Sequence, residues 1–281
     1  MVLIRSMLRH SVTLGILMIA SCAPTPAPKP VQEPAIIAAP VVQEQPSQSQ
    51  APPKVRTAAP VLEAKVVRTT LGGIRLTGVV FDSRTHQLRV ADQSGGPGSR
   101  WADSKSAGQS TGGVAAINAG FFTPEGAPLG LVVAGGKKSG ALNRVSSLGA
   151  GFFMDDGSPA LIRRGGNTAG SQVLQSGPFL LEKGKRISGL STTTSTARSV
   201  IGWDGNYGWF LARTAGCSLA ELSAALAGKT LGGVKILTVL NLDGGRSSDL
   251  WVSSTLASGP VRERPIWNKP VRNFLVLHQK N

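Results

Sequence analysis

The chain has 281 residues, 30 of them basic and 15 acidic, for a formal charge of +15 at pH 7. Two cysteines and three histidines (His10, His86 and His278) supply neither a disulfide framework nor a pair at metal-ligand spacing, which argues against a stapled scaffold and a zinc centre. The excess of positive charge favours anionic partners.

Residues 1–22 read as a targeting segment, with Arg5 and Arg9 at a basic start and an apolar stretch from Val12 to Ile19 too short to span a bilayer. The closing Ile19-Ala20-Ser21-Cys22 resembles a bacterial lipobox. That implies cleavage before Cys22, lipid attachment on its sulfur and, with Ala23 following, retention at the outer membrane facing the periplasm. Residues 23–60 are rich in Pro, Ala and Gln and hold too little large apolar surface to fold. Proline stiffens them into a spacer with a reach on the order of 100 Å, at about 3.1 Å per residue. Residues 61–281 are the folded part, of a length that suits one domain. Five basic and two acidic residues fall in the first 60, which leaves +12 on this part. Outside the cytoplasm such a surface meets anionic glycans, sugar phosphates or lipid headgroups. No nucleic-acid motif appears, and no nucleic-acid partner is expected.

Within the folded part, Ile74 to Asp82 and Leu88 to Asp92 read as a hairpin, and 94–112 as a Gly/Ser-rich mobile loop. Short strands are expected at Val114–Asn118, Gly130–Ala134, Gly151–Met154 and Ala160–Arg163. A second hairpin pairs Arg198–Trp203 with Gly208–Ala212 around Asp204-Gly205-Asn206. One helix is clear: Ser218 caps it, Glu221 completes a capping box, and Leu219, Leu222, Ala225 and Leu226 form its apolar face. Val234 to Leu242 reads as a central strand, and Asn273 to Leu277 as a closing one. The expected class is α+β, a mixed, strand-rich twisted sheet with few helices.

The chemistry concentrates at Asp243-Gly244-Gly245-Arg246-Ser247-Ser248, where a buried apolar run ends in a carboxylate, two glycines, a guanidinium and two hydroxyls. Two glycines permit a sharp turn and close approach to a ligand, although Asp-Gly is also ordinary turn chemistry. Asn118-Ala119-Gly120-Phe121-Phe122 places an amide at a strand end, with donor and acceptor atoms for a ligand, or runs simply from a core strand into a turn. Gln175-Ser176-Gly177-Pro178, taken alone, is a hairpin corner. Arg198 stands at the mouth of an apolar strand, suited to bidentate phosphate binding or to a surface ion pair. Cys217, just before a helix, reads as structural. Of the five tryptophans, Trp251 is expected nearest the site.

In this order the pieces resemble the phosphodiester glycosidase domain family, over roughly residues 65–279. The elements that carry the likeness are Asn118-Ala119-Gly120-Phe121-Phe122, Gly177-Pro178-Phe179-Leu180-Leu181, Arg198-Ser199-Val200-Ile201-Gly202 and Leu242-Asp243-Gly244-Gly245-Arg246-Ser247. A closing Arg-x-x-x-Asn pattern matches Arg264 with the Asn268 or Asn273 region. Ala119 and Arg246 stand where the family has glycine. The family includes a lysosomal enzyme that removes N-acetylglucosamine from a mannose 6-phosphate diester, and many bacterial secreted proteins of unsettled activity. The resemblance implies hydrolysis of a sugar 1-phosphodiester in envelope glycans without a cofactor. A phosphate monoester is a good leaving group, so an arginine can substitute for a strong general acid. On that implied mechanism Arg198 binds phosphate, with help from Arg246, and Asp243 is base, nucleophile or orienting carboxylate. Asn118 holds sugar hydroxyls or an acetamido group. Gly120, Gln175 and Ser176 line the substrate, and Gly244, Gly245 and Ser247 supply donors. The second carboxylate stays open among Glu125, Asp155, Asp204 and Asp249. The competing reading is a non-catalytic module that binds anionic cell-wall glycans in the same cleft.

Overall fold

The computed structural model describes residues 60–281. The targeting segment, the lipid-attachment residue Cys22 and the spacer up to residue 59 lie outside the described residues. Among these residues, no helix is long and apolar enough to cross a membrane.

The strands fall into three main antiparallel sheets and a small hairpin, not one mixed sheet. A seven-stranded sheet runs in the order Lys65–Leu71, Ile74–Asp82, Gly208–Thr214, Ser199–Trp203, Thr238–Asn241, Phe179–Glu182, Lys185–Arg186. A five-stranded sheet follows the order Val261–Glu263, Leu250–Val252, Ala115–Asn118, Asn273–Gln279, His86–Asp92. The third, also of five strands, is ordered Lys137–Ser139, Val132–Ala134, Gln172–Ser176, Gly151–Asp155, Ala160–Arg163.

Inner faces of all three sheets meet in one apolar cluster, with Phe81, Ile201 and Leu240 from the first, Ile117 and Leu275 from the second, and Phe153 and Leu174 from the third. Trp209 ties two of them together, stacked on Trp203 at 5.2 Å and edge-on to Phe153 at 6.1 Å. The other face of the large sheet is covered by the helix Leu219–Leu226, whose Leu222 and Leu226 join Leu180, Val200 and Phe210. Its capping box is as the sequence reads: Ser218 N donates to Glu221 Oε2 at 2.8 Å and Glu221 N to Ser218 Oγ at 3.2 Å.

Three further expectations are corrected. Ile74–Asp82 and His86–Asp92 are not a hairpin. Both edges of the former are already filled, by Lys65–Leu71 and Gly208–Thr214, so the chain turns at Asp82 into another sheet. The Asp82 carboxylate makes that corner by accepting from Leu62 N at 3.1 Å and Arg84 N at 2.8 Å. Within 94–112, residues Ser104–Ser110 form a helix in place of a mobile loop. It lacks an apolar stripe, and it is held by the Asp103–Ser106 capping box and by Gly108 lying flat against the Trp251 ring. The expected strand from Val234 to Leu242 is broken: Val234–Lys235 pairs with Thr230–Leu231, and only Thr238–Asn241 enters the large sheet.

Candidate functional site

The central strand Thr238–Asn241 delivers Asp243 to the junction of the sheets. Leu242 N donates to Ser199 O at 2.9 Å, inside the large sheet, whereas Asp243 N donates to Ala119 O at 2.8 Å, at the end of a strand of the second. The loop then folds into a single 3-10 turn, Gly245–Ser247. Gly245 has φ +62, the left-handed region where a side chain is strained. A Cβ on Gly244 would lie 3.0 Å from Ala197 O, so this position also needs glycine for close approach.

Asp243 is partly exposed at the head of this loop. Burial pushes its carboxyl up from 3.8 to about 6, while the Ser247 hydroxyl and Gly244 N–H, the latter at 2.9 Å, pull it down. No ion pair among the described residues involves it. A half-buried carboxyl with no ion-pair partner and a pKa raised toward neutrality has the chemistry that proton transfer requires. Arg246, exposed on the same loop, is oriented by its neighbours. Its Nε donates to Trp267 O at 3.1 Å, and its carbonyl accepts from Asn268 Nδ2 at 3.0 Å and Lys269 N at 3.3 Å.

The sequence-predicted residues outside the loop are buried and bonded within the protein. Asn118 is fully buried; its Nδ2 donates to Asp243 O at 2.6 Å and its Oδ1 accepts from Ser199 Oγ at 2.6 Å and Asp249 N at 3.0 Å. It positions Asp243 and offers no accessible amide to a sugar. Gly120 N donates to Asn273 Oδ1 at 2.7 Å, and a Cβ there would crowd Leu174 and Gln175 O. All four hydrogen-bonding positions of the Gln175 amide are used internally: Oε1 accepts from Leu131 N and Asn143 N, and Nε2 donates to Asn143 O and Gly149 O. Ser176 Oγ donates to Asn241 O at 2.9 Å. Arg198 is buried, with Nε donating to Cys217 O at 3.0 Å and Nη2 to Thr194 O. These two donors are held by backbone carbonyls under the loop, so the Nε/Nη2 edge of the guanidinium is not open to a phosphate.

Of the four candidate second carboxylates, Asp249 is the one in this network, but its oxygens face away, accepting from Ser104 N at 2.8 Å and pairing with Arg262 at 3.3 Å. Asp204 closes its own turn by accepting from Asn206 N and Gly208 N; Glu125 is exposed, and Asp155 accepts from Gly157 N. Trp251 is buried against Gly108, and Trp267, 76 % exposed, is the tryptophan tied to the Asp243 loop. Cys217 is buried and free, its thiol pushed up by burial, as a structural cysteine is.

The phosphodiester glycosidase family model matches residues 111–278, more than half of the chain and the whole stretch from Asn118 through Asp243 to Asn273. The chain belongs to the phosphodiester glycosidase family. No curated protein matches it. Among solved structures it resembles the catalytic domain of zebrafish N-acetylglucosamine-1-phosphodiester alpha-N-acetylglucosaminidase, auto-inhibited by its pro-peptide, at 18 % identity and TM-score 0.56, over 80 % of this chain and 86 % of that one. It also resembles a hypothetical protein from Synechocystis, at 16 % identity and TM-score 0.52, over 77 % of this chain and 61 % of that one. These likenesses concern the fold. The matched span of this phosphodiester glycosidase family member begins at residue 111, so the strands Lys65–Leu71, Ile74–Asp82 and His86–Asp92 precede it.

The sequence reading names the Ser248 hydroxyl on the Asp243 loop and Asn273 as one of two closing candidates, but gives Ser199 no role at the site. Ser199 Oγ links Asn118 to Ser248 Oγ, at 2.6 and 3.3 Å, and Asn273 Nδ2 is buried without a protein partner. The signal was present: Ser199 and Asn273 are polar residues opening otherwise apolar strands.

Proposed function

We propose that the protein hydrolyses sugar 1-phosphodiesters of cell-envelope glycans, with Asp243 as the proton-transfer group. In this reading Asp243, ionised, takes a proton from water as its oxygen joins the anomeric carbon. The bond from that carbon to the phosphate oxygen breaks, its electron pair leaves with the phosphate monoester, and the proton is released from Asp243 to solvent or product. Arg246 replaces Arg198 as the phosphate-binding cation, since it stands exposed on the Asp243 loop, held through Nε only. Arg198 becomes a positioning residue, its aliphatic stem beside Gly244 and its guanidinium on the carbonyls of Cys217 and Thr194. Cys22 and the spacer would hold this domain at the outer membrane. The observation that carries the proposal is the Asp243 carboxyl, without an ion-pair partner among the described residues and pushed up to about 6, on a loop anchored from below by the buried Asn118–Ser199 contacts.

One observation favours the second reading, a binding module for anionic glycans: Asp249 faces away, so the loop presents one carboxyl where ordinary glycosidases use two. Incubation of the protein with α-N-acetylglucosaminyl and α-glucosyl phosphodiesters, with released sugar read by mass spectrometry, separates the two. Release that Asp243→Ala lowers by about 100-fold or more supports the enzyme. Absence of release, with the same compounds raising the Tm, supports the module.

A further inference from the structure

We propose that a groove along the edge strand His86–Asp92 is a binding site for an anionic saccharide, separate from the Asp243 loop. The cavity measures about 720 Å³ and contains no residue of that loop. Its size falls within the roughly 300–1,000 Å³ of small-molecule sites.

Charge defines what it takes. Arg89, Arg100, Lys137 and Lys280 line it against two acids, Asp92 and Asp155. Asp92 is already neutralised: Arg272 donates to both its oxygens, at 2.9 and 3.0 Å. Arg89 and Lys137 are exposed and take part in none of the ion pairs among the described residues. Two cations are thus free to meet an anion in a concave setting, where like charges on facing walls concentrate their field.

The walls are preformed. Pairing with Asn273–Gln279 consumes the inward hydrogen-bonding groups of His86–Asp92, and the outward N–H of Val90 donates to Gln172 Oε1 at 2.7 Å. Ser139 Oγ donates to Asp92 at 2.9 Å. These two contacts fix the edge of the second sheet against the hairpin of the third, so little ordering is required on binding. The lining interleaves hydroxyls of Ser94, Thr111 and Ser171 with the apolar, partly exposed Ala134. Such a mixture matches a sugar, with its apolar C–H faces and hydroxyl rim. It suits neither an acyl chain, which has no hydrogen bonds to give, nor a nucleic-acid strand, which is held by stacking on open aromatic faces. Neither aromatic ring of the lining is open: His278 is 7 % exposed, and Trp101 is 5 % exposed and covered by the Arg100 guanidinium at 4.6 Å.

Calorimetric titration of the full chain tests this with three probes: tetragalacturonate, a phosphorylated maltotetraose and neutral maltotetraose. Binding of one or both anionic probes, at least tenfold tighter than the neutral one and weakened at least tenfold in Arg89→Ala/Lys137→Ala, supports the site. Which probe binds more tightly identifies carboxylate or phosphate as the preferred anion. Asp243→Ala leaves this affinity unchanged, which separates the groove from the catalytic reading. Both substituted side chains are exposed; Lys137→Glu alone provides a second test of the same effect. Equal binding of neutral maltotetraose, an unchanged affinity in both variants, or tighter binding of an oligonucleotide or of anionic lipid vesicles overturns it.

Discussion

Asp243 carries a carboxyl whose folded pKa, about 6, lies above its ordinary 3.8 because burial disfavours the anion, against the opposing bonds from Ser247 and Gly244. The native state therefore keeps a proton that the unfolded chain has released. The stability this contributes is full below about pH 4 and is lost as pH rises through about 6. Asp243→Asn removes the ionisation and retains an acceptor for Ser247 and Gly244 N–H. The variant is expected to match the parent near pH 4 and to exceed it by on the order of 2 kcal/mol above about pH 7, which calorimetric melting across that range checks. The two arginines separate at the same scale. Arg246→Ala is expected to weaken substrate binding with little change in Tm, because its side chain is exposed. Arg198→Ala strips the carbonyls of Cys217 and Thr194 of buried charged donors, and a loss of about 2–3 kcal/mol in stability is expected. Paired melting and steady-state kinetics distinguish the two; a lower Tm for Arg246→Ala than for Arg198→Ala would reverse the assignment.

At the scale of elements, the helix Ser104–Ser110 supports the loop from behind. The Asp249 carboxylate accepts its Ser104 N–H, and Gly108 lets it lie on Trp251. A Cβ at Gly108 would overlap the Trp251 ring, so Gly108→Ala is expected to destabilise by about 1–3 kcal/mol through overpacking, read as a lower Tm. This helix was illegible in the sequence because SKSAGQS has no apolar periodicity; its stability comes from contacts distant in the chain. The helix Leu219–Leu226 was legible because its cap and its stripe are both local signals. The same contrast explains the false hairpin. Alternation reveals that Ile74–Asp82 and His86–Asp92 are strands, but whether neighbours pair depends on which edges other strands have occupied. At the site, the sequence revealed which segments converge but not which side chains stay free. Gln175, Asn118 and Arg198 read as ligand groups because their type and position allow it. Only the hydrogen-bond partners, recruited from residues up to 131 positions away, show Gln175 and Asn118 satisfied internally and two Arg198 donors held by backbone carbonyls.

For the molecule as a whole, three sheets around one core place their loop ends at a common junction, and the polar network through Asn118, Ser199 and Ser248 crosses it. Asn118→Leu leaves the Asp243 carbonyl, the Asp249 N–H and the Ser199 hydroxyl without their partner. We expect a loss of about 3 kcal/mol or more and of most activity, measured by denaturant unfolding and turnover together. The central claim, that the Asp243 carboxylate performs proton transfer in glycosyl phosphodiester hydrolysis, is tested most directly by the pH dependence of kcat/KM on such a substrate. The account predicts a rate that rises tenfold per pH unit below about 6 and levels above it, as the carboxylate forms. A profile flat through about pH 6, or an Asp243→Asn variant that retains parental turnover, contradicts it.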